Sequence, residues 1–179
     1  MTTPTAVLIG PPAAGKSRIG KRVAKLLGVP FTDTDSRIVA AHGKIADIFA
    51  EHGEPHFRAL ERQAVAAALT GPGVVSLGGG AVLDPDTRAD LQGLRVVLLT
   101  ASADSVRKRI RGGKRPLLAS GGIEAWERLV AERTPIYQAL ATRTWDTSNR
   151  PVKQIAAEIA EWLGEQNAPD PGSAAEGSE

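Results

Sequence analysis

The string Gly10-Pro11-Pro12-Ala13-Ala14-Gly15-Lys16-Ser17 has the spacing G-x-x-x-x-G-K-[ST]. That spacing suits one task, holding a polyphosphate. Glycines let successive backbone N–H groups turn inward on an anion. A helix N-terminus behind them adds partial positive charge. Lys16 is long enough to reach the β- and γ-phosphates. Ser17 offers a hydroxyl to Mg2+, which prefers oxygen ligands. Gly10, Pro12, Ala13, Ala14, Gly15, Lys16, Ser17 and the adjoining Arg18 are therefore the expected contacts of a nucleoside triphosphate. Pro11 to Ala14 make a stiffer stretch than a glycine-rich one, but they occupy only the variable positions. The competing reading is a chance match in a Gly/Pro turn. It loses because an apolar run precedes the string and a helical pattern follows it.

Such a loop does not by itself separate a kinase from a GTPase or a motor ATPase. The chain is short for a motor and carries no Asn-Lys-x-Asp string of the guanine-specific type. Asp33 and Asp35 stand one residue apart after a short apolar stretch. One of the two carboxylates can serve a metal and the other an acceptor hydroxyl. An aspartate here is also a common helix N-cap, and taken alone that reading has the edge. Downstream come Arg58 and Glu61 one helical turn apart, Gly78-Gly79-Gly80, Arg115 in a glycine-bracketed stretch, and Arg133. Arginines around a pocket suit an anionic acceptor, since guanidinium pairs bidentately with carboxylate. Any single one of them fits a solvated helix face better.

The elements that must position these groups alternate in type. Apolar runs predict strands over Ala6–Ile9, Val29–Thr32, Val74–Leu77, Arg95–Leu99 and Arg143–Thr147. Helical spacing predicts helices over Lys16–Leu27, Asp35–Ala41, Ile45–His52, Glu54–Leu69, Asp84–Leu91, Ala103–Ile110, Ile123–Thr142 and Val152–Leu163. A break is expected at Pro135. Alternation of this kind implies an α/β fold, a five-stranded parallel sheet flanked by helices on both faces, with right-handed crossovers. Residues 1–164 form one domain on this reading. It includes a helical substrate-binding segment at about 34–61 and a mobile lid at about 111–122. The Gly/Pro/Ser/Glu-rich residues 165–179 are expected to be a disordered tail.

Composition excludes several classes. The chain has 179 residues, 42% of them hydrophobic and 23% charged, which fits one globular core. It has no cysteine, so disulfides and thiolate metal sites are out. A net charge of +2 does not argue for nucleic acid. The basic stretch from Arg107 to Arg115 lacks interleaved aromatics, and a phosphate-facing lid explains it better. There is no signal-peptide pattern and no membrane-length apolar run, so a cytoplasmic protein is expected. His42, His52 and His56 read as surface residues, because Gly53 and Pro55 interrupt the helix that His52 and His56 would have to share. Trp126, Trp145 and Trp162 read as packing residues, with Trp126 beside the lid.

Seven separated strings together resemble the shikimate kinases, in the nucleoside-monophosphate-kinase-like branch of P-loop proteins. They are GPPAAGKS, DTD at Asp33–Asp35, IADIFAEHGEPHFRALE around Arg58, SLGGGAV, RPLL, ERTPIYQALA and DTSNRP. Each is weak alone; their order and spacing, from about Thr5 to Leu163, make the match specific. The resemblance implies ATP and Mg2+ as co-substrate and metal, shikimate as acceptor and shikimate 3-phosphate as product, in a monomer. It places Asp35, Arg58, Gly79, Gly80 and Arg133 around shikimate. Arg58 and Arg133 would bind its carboxylate and Asp35 its hydroxyls, with Asp35 as base or orienting group. Lys16 and Arg115 would stabilise the transferring phosphoryl group. Ser17 would ligate Mg2+ directly and Asp33 through water. Phe49, Phe57, Glu61 and Leu117 match positions that line or support the acceptor pocket. Arg150 matches an adenine-contacting position. The residue stacking on adenine is Arg109 or Lys108, the planar guanidinium of Arg109 being the better stacker. A related small-molecule kinase, such as a gluconate kinase, and a non-catalytic nucleotide-binding module are the alternatives. The DTD, triple-glycine and arginine set argues against the first. The presence of Lys16, Ser17, Asp33 and Arg115 together argues against the second.

Overall fold

A computed structural model describes residues 2–111 and 121–165. Five strands form one sheet: β1 (Ala6–Ile9), β2 (Phe31–Asp33), β3 (Val74–Ser76), β4 (Val96–Thr100) and β5 (Arg143–Asp146). Their spatial order is β2-β3-β1-β4-β5, and every neighbouring pair is parallel. The helices are α1 (Lys16–Leu27), α2 (Thr34–His42), α3 (Ile45–His52), α4 (Glu54–Leu69), α5 (Pro85–Asp90), α6 (Ala103–Arg111), α7 (Gly122–Leu140) and α8 (Val152–Glu165). A single 3-10 turn spans Ala81–Leu83, which the sequence did not suggest.

Strand alternation divides the core into two layers. Ala6 and Leu8 of β1, with Val97 and Leu99 of β4, pack under α1 and α8. Val7 and Ile9, with Val96 and Leu98, pack under α4 and α7 on the other face. β1 is apolar at every position and β4 at all but Thr100, because both faces of these strands are covered. A small separate core of Ile38, Ile48 and Phe57 binds α2, α3 and α4 into the expected helical subdomain.

Three expectations change. The second strand starts at Phe31 and α2 starts at Thr34, so Asp33 and Asp35 do not share one extended segment. Asp33 is the N-cap of α2, its Oδ1 accepting from Ser36 N at 2.9 Å, and Asp35 lies in the first helical turn. Pro135 does not break α7. Thr134 Oγ1 donates to Val130 O at 2.7 Å, and Trp126 and Tyr137 are both buried against the body of the protein. Packing of that kind outweighs the proline's local preference. The last helix continues to Glu165. Residues 166–179, expected as tail, and 112–120 of the expected lid, with Arg115 and Leu117, lie outside the described residues.

Candidate active site

The loop from Gly10 to Gly15 joins the C-terminal end of β1, the middle strand, to α1. Gly10 sits at φ 144°, and a Cβ there would lie 2.2 Å from the Leu99 carbonyl oxygen, so the first glycine is required by β4 passing alongside. Ala13 adopts φ 66° without being glycine. Lys16 Nζ donates to the carbonyls of Gly10 at 2.8 Å and Pro11 at 3.0 Å. The ammonium is thus held across the mouth of the loop whose N–H groups it complements. Ser17 Oγ donates to Asp33 Oδ2, joining the first turn of α1 to the end of β2.

Among the described residues, two cavities beside this loop gather the expected site residues. The first, of about 380 Å3, is lined by Ala13, Ala14, Gly15, Arg18, Arg109 and Arg150, with Lys108 at its edge. Arg109 Nη1 donates to Ala13 O at 2.8 Å and Nη2 to Thr147 O at 2.6 Å, so its guanidinium spans the cavity wall. Lys108 is exposed. Arg150 donates to Glu158, whose carboxyl that bond pulls below its ordinary value. Of the expected nucleotide contacts, Ala13, Ala14, Gly15, Arg18, Arg109 and Arg150 come together here; Gly10, Lys16 and Ser17 do not line this cavity, Pro12 lines the second one, and Arg115 lies outside the described residues.

The second cavity, of about 110 Å3, brings together Asp35, Arg58, Gly79, Gly80 and Arg133, all five of the expected acceptor residues. Pro12, Phe49, Phe57 and Glu61 also line it. Arg58 Nη1 donates to Glu61 Oε2 at 2.7 Å, and its other nitrogens reach Glu54 at 3.2 and 3.3 Å. The triple glycine is explained by these side chains. A Cβ on Gly78 would lie 2.6 Å from Asp35 Oδ1, and one on Gly80 would lie 2.3 Å from Arg58 Nη1. The Gly78 N–H donates to Thr34 Oγ1 at 3.1 Å.

Electrostatics single out Asp35. Its pKa is pushed up from 3.8 to about 6 by burial, then by the charges of Asp33 and Glu61, against the lowering influence of Lys16 and Arg58. A carboxylate with that affinity is still ionised at neutral pH yet takes a proton far more readily than a surface aspartate. Burial likewise pushes Glu61 upward, while Arg58 opposes the rise.

Sequence reasoning missed the groups that hold this geometry. Thr34, the middle residue of the DTD string, ties α2 to the glycine loop. Thr147 Oγ1 lies 2.8 Å from Ala14 O and 2.9 Å from Thr100 O, its one hydroxyl proton shared between the two carbonyls. Trp126 Nε1 and Tyr137 OH each hold a loop carbonyl. The only signal for them is a polar atom on a residue whose periodicity calls for burial, a group that must find a partner inside.

A family model described as shikimate kinase matches residues 12–164. A shikimate kinase of Salinispora arenicola is 48% identical over 163 residues, covering 89% of this chain and 98% of that protein. Among solved structures, shikimate kinase from Acinetobacter baumannii in complex with shikimate is similar at TM-score 0.85 and 29% identity, covering 94% of this chain and 97% of the other. A gluconokinase from Sinorhizobium meliloti reaches TM-score 0.57 at 22% identity, a likeness of fold alone. Parallel sheet order, phosphate loop and sequence agree, and the chain belongs to the shikimate kinase family.

Proposed function

We propose that this protein transfers the γ-phosphoryl group of ATP to the 3-hydroxyl of shikimate, giving ADP and shikimate 3-phosphate. The observation that carries the reading is the convergence of Asp35, Arg58, Gly79, Gly80 and Arg133 on one cavity beside the phosphate loop. Shikimate presents a carboxylate and hydroxyls on one ring. Arg58 and Arg133 supply guanidinium donors for the carboxylate. Asp35 takes the hydroxyl side, and its raised affinity for protons fits it to orient the 3-hydroxyl and accept its proton. Lys16 follows the charge on the transferring group, and Arg115 is assigned the same task from the family resemblance. Arg109 stacks on adenine, and Arg150 borders the same cavity.

Ser17 and Asp33 form an all-oxygen pair beside the phosphate loop, linked to each other by a hydrogen bond. That donor set fits Mg2+, with Ser17 direct and Asp33 through water. The ion would neutralise charge between the β- and γ-phosphates. We take the protein to act as a cytoplasmic monomer. Among the described residues no helix is long and apolar enough to cross a membrane.

A coupled assay of ADP release tests the reading, with shikimate and gluconate as parallel acceptors. Turnover with shikimate is expected. Turnover with gluconate in its place would overturn the acceptor assignment and leave the kinase assignment standing. Arg58→Ala should raise the acceptor KM more than it lowers kcat. An unchanged KM would remove the carboxylate clamp.

A further inference from the structure

Helix α7 carries two side chains that reach the two substrate loops, and their targets touch each other. Trp126 Nε1 donates to Pro12 O at 2.8 Å, on the phosphate loop. Tyr137 OH donates to Gly79 O at 2.6 Å, on the acceptor loop. Pro12 and Gly79 are in contact: a Cβ on Gly79 would lie 3.0 Å from Pro12 Cδ. So the pair of residues where the two loops meet has both of its carbonyls held by one helix. Trp126, Arg133 and Tyr137 follow the spacing i, i+7, i+11. At 3.6 residues per turn they fall within about 40° of one another around the helix. Trp126 and Tyr137 are 4% and 2% exposed, so these bonds form in a setting where a carbonyl left without its donor is penalised.

We propose that Trp126 and Tyr137 are positioning residues for the phosphoryl transfer, and that α7 uses them to set the separation between the donor loop and the acceptor loop. The inference rests on the placement of the acceptor acid against Gly79 and Arg133. Neither aromatic side chain touches a reacting atom. Each fixes a backbone segment that does the binding, one on either side of the point of transfer. Phosphoryl transfer depends on in-line placement of donor and acceptor, so a small displacement of one loop changes rate as well as affinity. The helix also carries Arg133 between its two anchors, so the clamp on the acceptor and the spacing of the loops share one rigid element.

The arrangement predicts opposite signatures for the two anchors. Tyr137→Phe keeps the ring and removes only the hydroxyl. It should raise the shikimate KM by about tenfold and leave the ATP KM within about twofold of wild type. Trp126→Phe should do the reverse, raising the ATP KM and sparing the shikimate KM. A residue that served only the fold would move both constants together or neither. Thermal unfolding is measured on each variant, and if Trp126→Phe does not fold, the Tyr137→Phe result decides alone. Equal changes in both constants for Tyr137→Phe, or none in either, would overturn the inference. Arg133→Ala is run alongside. If it raises the shikimate KM while Tyr137→Phe does not, the positioning inference fails and the acceptor placement stands. If it leaves that KM unchanged while Tyr137→Phe raises it, the carboxylate clamp at Arg133 fails and positioning through Gly79 stands.

Discussion

Glu61 holds the guanidinium of Arg58 at 2.7 Å from inside the protein, its own side chain only 5% exposed against 28% for the arginine. The buried partner thus fixes the more accessible one, while Nε and Nη2 of the arginine reach the exposed Glu54. Burial pushes Glu61 up, so its ionised form is maintained against a desolvation penalty. Glu61→Gln should therefore change the melting temperature little, because it removes that penalty together with the ion pair. The shikimate KM should rise about tenfold as Arg58 loses its charged anchor. Steady-state kinetics beside a melting curve separate the two effects.

Asp35 links function to pH in both activity and stability. With a pKa of about 6 in the fold, kcat/KM for shikimate should fall as pH drops through 6, where the carboxylate gains its proton. The stability effect has the opposite sense. A carboxyl raised from 3.8 to about 6 binds its proton more tightly folded than unfolded, so stability decreases as pH rises between those values. At 1.36 kcal/mol per pH unit the penalty at neutral pH is about 2 to 3 kcal/mol. Asp35→Asn should raise the melting temperature at pH 8, lose that gain near pH 3.5, and abolish turnover at both. Equal melting temperatures of wild type and variant at pH 8 would refute the burial argument.

Gly80 sits at φ −95°, a backbone conformation any residue adopts, so only its neighbour forbids a side chain. Gly80→Ala should fold normally and displace Arg58, whose Nη1 lies 2.3 Å from the new methyl position. Acceptor KM should rise at least about tenfold with ATP KM unchanged. In the double variant with Arg58→Ala the losses should not add, because both remove the same contact.

Asp33 has two tasks on two oxygens, one capping α2 and one taking the Ser17 hydroxyl. Asparagine caps as well as aspartate, whereas alanine costs about 1 kcal/mol. Asp33→Asn should keep the melting temperature and raise the Mg2+ concentration needed for half-maximal rate. Asp33→Ala should lose both. A Mg2+ titration of the two variants checks the assignment.

The comparison of sequence with structure divides along a physical line. The phosphate loop and the strands were legible because both are local: the loop is a contiguous string, and a doubly covered strand is an apolar run. The N-cap reading of Asp33, which the sequence favoured when taken alone, is the one the fold adopts, and Asp35 falls in the first helical turn because α2 starts at Thr34. The uninterrupted course of α7 through Pro135 was not legible, because its anchors at Trp126 and Tyr137 take partners 114 and 58 residues away. The bond from Arg150 to Glu158 was equally hidden, since eight residues separate them. Arg58, Arg133 and Gly79 could be brought to one cavity only by resemblance, for no periodicity connects α4, α7 and the glycine loop.

Among the described residues the two cavities have no lining residue in common, and the boundary falls on the bond between Pro12 and Ala13. A compound built to occupy both would have to pass that peptide unit. The partition places Phe49 and Phe57 on the acceptor side alone. Altering Phe49 or Phe57 should re-specify the acceptor while the ATP side keeps its affinity, which makes the acceptor half the natural place to engineer a new alcohol.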